Sequence, residues 1–99
     1  MVRKDDFDWH ENKRIWTLEA RGLDFEKVSE IFDGFVLEWE SPRYGEERTA
    51  AVGRIGDDYV TVVYTWRGGK RRIISARPAR RKERQNYERA RQDHQGPPR

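Results

Sequence analysis

Ninety-nine residues, 34% of them hydrophobic, make one domain with a small core, feasible because large aromatics bury much area each. The absence of cysteine excludes disulfides, thiolate catalysis and Cys-based zinc or iron–sulfur sites, and no apolar run approaches the roughly 18–20 residues that span a bilayer. The net charge of +3 hides an asymmetry: Met1 to Trp66 carries 9 Lys+Arg against 15 Asp+Glu, whereas Arg67 to Arg99 carries 12 against 3. A basic third of this kind reads as a phosphate-binding surface or as a solvated, ion-paired tail.

The opening MVRKDDFDW has no apolar signal core, so a cytoplasmic location is expected. Phe7-Asp8-Trp9 alternates and suits an edge strand or an extended lead-in. From His10 to Arg21, Ile15 and Leu18 lie three apart and Trp16 and Ala20 four apart, which predicts a helix ending at Gly22. Asp24 is a good N-cap for a second helix over Phe25 to Phe32, where Phe25, Val28, Ile31 and Phe32 repeat at helical spacing.

The pattern then turns to strands. Phe35 to Glu40, Arg48 to Ile55, Tyr59 to Trp66 and Arg71 to Ala76 are predicted, the third being β-branched and aromatic throughout. Gly68-Gly69 marks a hairpin between the last two. Pro78 breaks the fourth strand and suits the start of a polar helix from Ala79 to about Gln92, which is either solvated or awaits a partner. The expected fold is α+β: two N-terminal helices, a four-stranded antiparallel meander and a C-terminal helix, with the helices on one sheet face. Residues 1–92 are expected to form the domain, and the composition of 93–99 predicts a disordered tail.

The densest chemistry lies in Arg71-Arg72-Ile73-Ile74-Ser75-Ala76-Arg77. In a regular strand Arg71, Ile73, Ser75 and Arg77 share one face and Arg72, Ile74 and Ala76 the other. Arginine donates two parallel hydrogen bonds to phosphate and stays charged at any working pH. A phosphate site and an edge strand guarded by charge are equally good readings of the block. Arg80, Arg81, Lys82 and Arg84, with Tyr87, continue it on the following helix, where a solvated face is the bland alternative. The two histidines, His10 and His94, are distant and give no metal-ligand spacing, so no metal or other cofactor is expected.

Taken together, Phe7-x-Trp9-x-x-x-Lys13, Gly22-x-x-Phe25, Val28 with Ile31-Phe32-Asp33, Glu47-Arg48, Gly53 and Arg72-Ile73-Ile74-Ser75-Ala76-Arg77-x-Ala79 with Glu83-Arg84 and Tyr87 resemble the BrnT family of toxins of type II toxin–antitoxin systems. The resemblance runs from about Phe7 to Glu88. It implies a RelE-like fold, metal-independent RNA cleavage by 2′-hydroxyl attack, and tight binding to a BrnA-type antitoxin, with operator DNA reached only through that antitoxin. No membrane partner is implied. Carried over residue by residue, Arg48, Arg72, Arg77 and Arg81 become phosphate clamps and Tyr87 a stacking or proton-transfer group. Lys13, Arg71, Arg80 and Arg84 become further RNA contacts.

Arg72 and Arg77 can serve one site only if the strand ends or bulges near Ala76. The chain also departs from the family pattern, with His10 where Asp is usual, Thr17 for Asn, and Ala20-Arg21-Gly22 for Lys-His-Gly. A catalytically weak or inactive module that binds RNA or antitoxin is the alternative reading.

Overall fold

The computed structural model describes residues 4–94, and nothing in it contains a helix long and apolar enough to cross a membrane. After a 3-10 turn at Lys4–Asp6 come β1 (Phe7–Trp9), α1 (Glu11–Arg21) and α2 (Phe25–Val28), the last tightening into a 3-10 turn over Ser29–Asp33. Then follow β2 (Leu37–Glu40), β3 (Thr49–Ile55), β4 (Asp58–Arg67), β5 (Lys70–Pro78) and α3 (Arg81–His94). Gly22 takes φ 70° and its N–H closes α1 on the Leu18 carbonyl, while the Asp24 side chain caps α2 by accepting from the Glu26 N–H. The start and stop signals in the sequence therefore act where they stand.

The α+β class holds, but the sheet is five-stranded and mixed, not a four-stranded antiparallel meander. Its order is β1-β5-β4-β3-β2, and β1 runs parallel to β5 with Phe7 opposite Arg71 and Trp9 opposite Ile73. The three-residue edge segment belongs to the sheet, and its partner lies at the far end of the chain. The second N-terminal helix is also shorter than expected, one α-helical turn followed by a 3-10 turn.

Helices cover both faces of the sheet, a second correction. On one face Phe25, Val28 and Ile31 pack with Ala51, Val60, Val62, Tyr64, Ile73 and Ala76 to form the core. Gly53 lies beneath this layer, and a Cβ there would stand 2.7 Å from the Ile31 Cβ, so the close approach requires glycine. On the other face α3 lies over one end only. Its Tyr87 stacks edge-on against Tyr59 at 5.7 Å and meets Phe35 at 5.5 Å. Its Glu83 accepts a hydrogen bond from the buried Thr61 hydroxyl at 2.9 Å. Tyr87 thus anchors this very polar helix to the domain. The remainder of that face is left open.

Candidate functional site

A register shift in β5 decides what the open face displays. Tyr64 pairs with Ile73 and Val63 with Ser75, so Ile74 has no partner on β4. Such a bulge resets the alternation of side chains. Before it, Arg71 and Ile73 face the core layer; after it, Ala76 takes that side. Arg72, Ser75 and Arg77 consequently all face the open side.

A groove of about 520 Å³ opens there, lined by Lys13, Trp16, Thr17, Arg21, Ser41, Pro42, Arg43, Arg48, Val63, Ile74, Ser75, Arg77 and Arg80. Three sources build it. α1 supplies Lys13, Thr17 and Arg21, spaced four apart and so on one helix face, together with Trp16. The sheet supplies the floor at Val63, Ile74 and Ser75, and the segment from Ser41 to Arg48 supplies the other wall. Six side chains in the lining are cationic and, among the described residues, none is a carboxylate or a histidine. Two of the six, Arg48 and Arg77, are paired with Glu46 and Glu83 outside the lining, and a polyanion in the groove would lower the repulsion among the rest. Serine and threonine hydroxyls at 17, 41 and 75 add neutral donors.

Carboxylates reach these arginines from outside the groove. Glu83 receives both terminal nitrogens of Arg77, at 2.7 and 2.8 Å, and its pKa falls to about 2, chiefly through that fork. The same carboxylate accepts the Arg80 backbone N–H at 2.8 Å, closing the first turn of α3. Glu83 therefore ties the start of α3, the sheet and Arg77 into one unit. Arg48 pairs with Glu46 at 3.3 Å. The Arg21 guanidinium donates to the Ala76 carbonyl at 2.8 Å, which fixes α1 against β5. Lys13 is exposed and has no side-chain partner among the described residues.

The expected site residues divide by location. Lys13, Arg48, Arg77 and Arg80 meet in the groove. Arg72 lies in an adjoining hollow with Arg48, Ile74, Thr65 and Arg67, its guanidinium bonded to Asp8, whose carboxyl that bond holds below its usual range. Arg81 and Arg84 line a separate hollow on the outer side of α3 with Gln85, Glu88 and Arg89. Tyr87 is 3% exposed and lies under α3, where burial raises its phenol pKa. Arg71 is on the core face, its guanidinium carbon 4.2, 5.2 and 4.7 Å from the ring centres of Phe32, Tyr64 and Trp66. That is a packing position, remote from the groove lining. Conversely, Trp16, Arg21, Arg43 and Glu83 belong to the site or hold it, and reading by sequence had not placed them there.

The described residues hold no cluster of three histidines, carboxylates or cysteines that could bind a metal ion. What the geometry defines is a small α+β domain with a cationic groove on an open sheet face. Residues 9–83 match the family described as "Ribonuclease toxin, BrnT, of type II toxin-antitoxin system", and the chain belongs to that family. No curated protein matches the chain.

Proposed function

We propose that this chain is an endoribonuclease toxin that cuts RNA in the groove between α1, the open face of β5 and the 41–48 segment. The observation that carries the proposal is the lining: Lys13, Arg21, Arg43, Arg48, Arg77 and Arg80 converge with no carboxylate among the described residues. The reaction is internal transesterification. The 2′-oxygen attacks the adjacent phosphorus, the bond from phosphorus to the 5′-oxygen breaks, and the products carry a 2′,3′-cyclic phosphate and a 5′-hydroxyl. One proton leaves the 2′-hydroxyl and one arrives at the 5′-oxygen, both through solvent. Negative charge grows on the phosphoryl oxygens in the transition state, and fixed guanidinium donors stabilise it where it develops. Arg77 is held in a fixed position by Glu83, which accepts from both its terminal nitrogens at 2.7 and 2.8 Å, and it donates to the phosphoryl oxygens through the hydrogens that remain. Arg48 lines the same groove, and in this proposal Lys13, Arg43 and Arg80 hold the flanking phosphates.

In this proposal the chemistry needs no metal, the fold works as a RelE-like scaffold in the cytoplasm, and a BrnA-type antitoxin neutralises the toxin. The antitoxin carries it to operator DNA, which the toxin does not contact itself. A second reading, a binding module with little or no turnover, draws on one observation: no histidine or carboxylate lines the groove to move the protons. One experiment decides between them. The purified chain is incubated with RNA in EDTA, with and without ribosomes, and the ends are mapped. Cyclic phosphate ends support the enzyme. Salt-sensitive binding without product, and no growth arrest on induced expression, support the module.

A further inference from the structure

Trp16 is 53% exposed, although a large aromatic on a helix ordinarily buries its ring against the domain. It takes no part in the hydrophobic core. It lies instead in the wall of the cationic groove, beside Lys13 and Arg21 on α1. The Arg21 guanidinium carbon is 5.2 Å from the ring centre, and the same guanidinium is tethered to the Ala76 carbonyl at 2.8 Å. The indole is thus braced by a cation that the sheet itself holds in position. The other exposed large apolar residues of α1, Ile15 and Leu18, are absent from the groove lining, so Trp16 is the large apolar side chain this helix presents there.

From these relations we propose that Trp16, backed by Arg21, is a nucleobase-stacking subsite: it holds one unpaired base of a single-stranded RNA while the surrounding cations take the phosphates on either side. Aromatic rings stack on every base, and the combination of a basic groove with an exposed ring is what single-stranded nucleic acid uses. A basic protein segment is disfavoured as the occupant, since six cations line this groove, and an acidic one would leave RNA affinity unchanged in the test below. The subsite recognises an accessible π face, so it selects single-stranded over duplex RNA and tolerates different bases. The inference rests on the groove being the RNA site, as proposed above.

The test compares wild type, Trp16→Ala and Trp16→Phe for binding of a 2′-O-methyl RNA oligonucleotide, which cannot be cleaved, and of an abasic strand of equal length. Trp16→Ala is expected to weaken oligonucleotide binding about tenfold while leaving the abasic strand unaffected, and Trp16→Phe to retain most of the affinity. Unchanged oligonucleotide affinity overturns the proposal, and so does equal weakening of both strands, which would mark a structural role. Loss of antitoxin binding with RNA affinity intact also overturns it, assigning the ring to the protein partner. The ribonuclease reading fails separately: if wild type cuts nothing but binds RNA through Trp16, the subsite stands and the catalytic role of the groove does not.

Discussion

Arg72 and Arg77 present their side chains on the same side of β5 although they stand five positions apart, because Ile74 is an extra residue opposite the Tyr64–Val63 step. In an unbroken strand that spacing sends two side chains to opposite faces. The bulge is what lets the arginine-rich strand place cations at one surface while Ile73 and Ala76 both remain in the core.

Removing the guanidinium that Glu83 holds in position should act on turnover. Arg77→Ala is expected to lower the cleavage rate at saturating RNA on the order of a hundredfold, with binding weakened less than tenfold. Single-turnover assays alongside binding of uncleavable RNA separate the two quantities. A loss confined to affinity would show that Arg77 only anchors the strand.

Arg71 should behave differently despite adjoining Arg72 in sequence. Its guanidinium is enclosed by Phe32, Tyr64 and Trp66, a contact worth on the order of 1–2 kcal/mol when desolvated. Arg71→Met should therefore lower the thermal midpoint, with cleavage per folded molecule retained. Circular dichroism melts and cleavage assays on the same sample check this.

The Glu83 carboxylate makes stability depend on acid. Its folded pKa lies near 2, below the ordinary value of 4.5, because Arg77, the Arg80 N–H and Thr61 all bond the charged form. A depressed carboxylate contributes fully above its unfolded pKa and loses that contribution as the pH falls through the folded one. Stability should thus decline between about pH 4.5 and pH 2. Glu83→Gln should cost about 1–3 kcal/mol at neutral pH and flatten the decline in that window. Urea unfolding across the range measures both; an unchanged slope in the variant would remove Glu83 as the cause.

Gly53→Ala tests the packing beneath the 3-10 turn. The new methyl would meet the Ile31 Cβ at 2.7 Å and the Val36 side chain at 3.2 Å, so α2 and its turn must move. A loss of about 1–3 kcal/mol is expected by denaturant titration, typical of overpacking.

Much of the scaffold was legible because its signals are local. The β-branched run of β4, the Gly68-Gly69 hairpin, the Gly22 stop and the Asp24 cap each act within a few residues. Phe7–Trp9 reads as an edge strand, but its partner and direction were not legible, since a three-residue strand pairing some sixty residues away leaves no periodicity. The bulge was hidden for a related reason: Ile73-Ile74 reads as continuous strand, and only the register opposite β4 shows which one is extra. Periodicity could have joined Arg21 to Lys13 on α1. Arg43 lies between strands, where spacing carries no such information. Tyr87 is as consistent with a surface platform as with a buried anchor until the Tyr59 and Phe35 rings are seen around it.

The pairing of Phe7 with Arg71 has a consequence for synthesis. The groove floor lies on β4 and β5, and β5 gains its outer neighbour only when the beginning of the chain folds back onto it. A polypeptide interrupted before residue 70 holds α1 and Arg48 yet has no surface on which to assemble them. Closing so distant a contact also slows folding relative to a chain of local contacts. The groove is therefore a late product of translation, absent from a fragment that ends before β5.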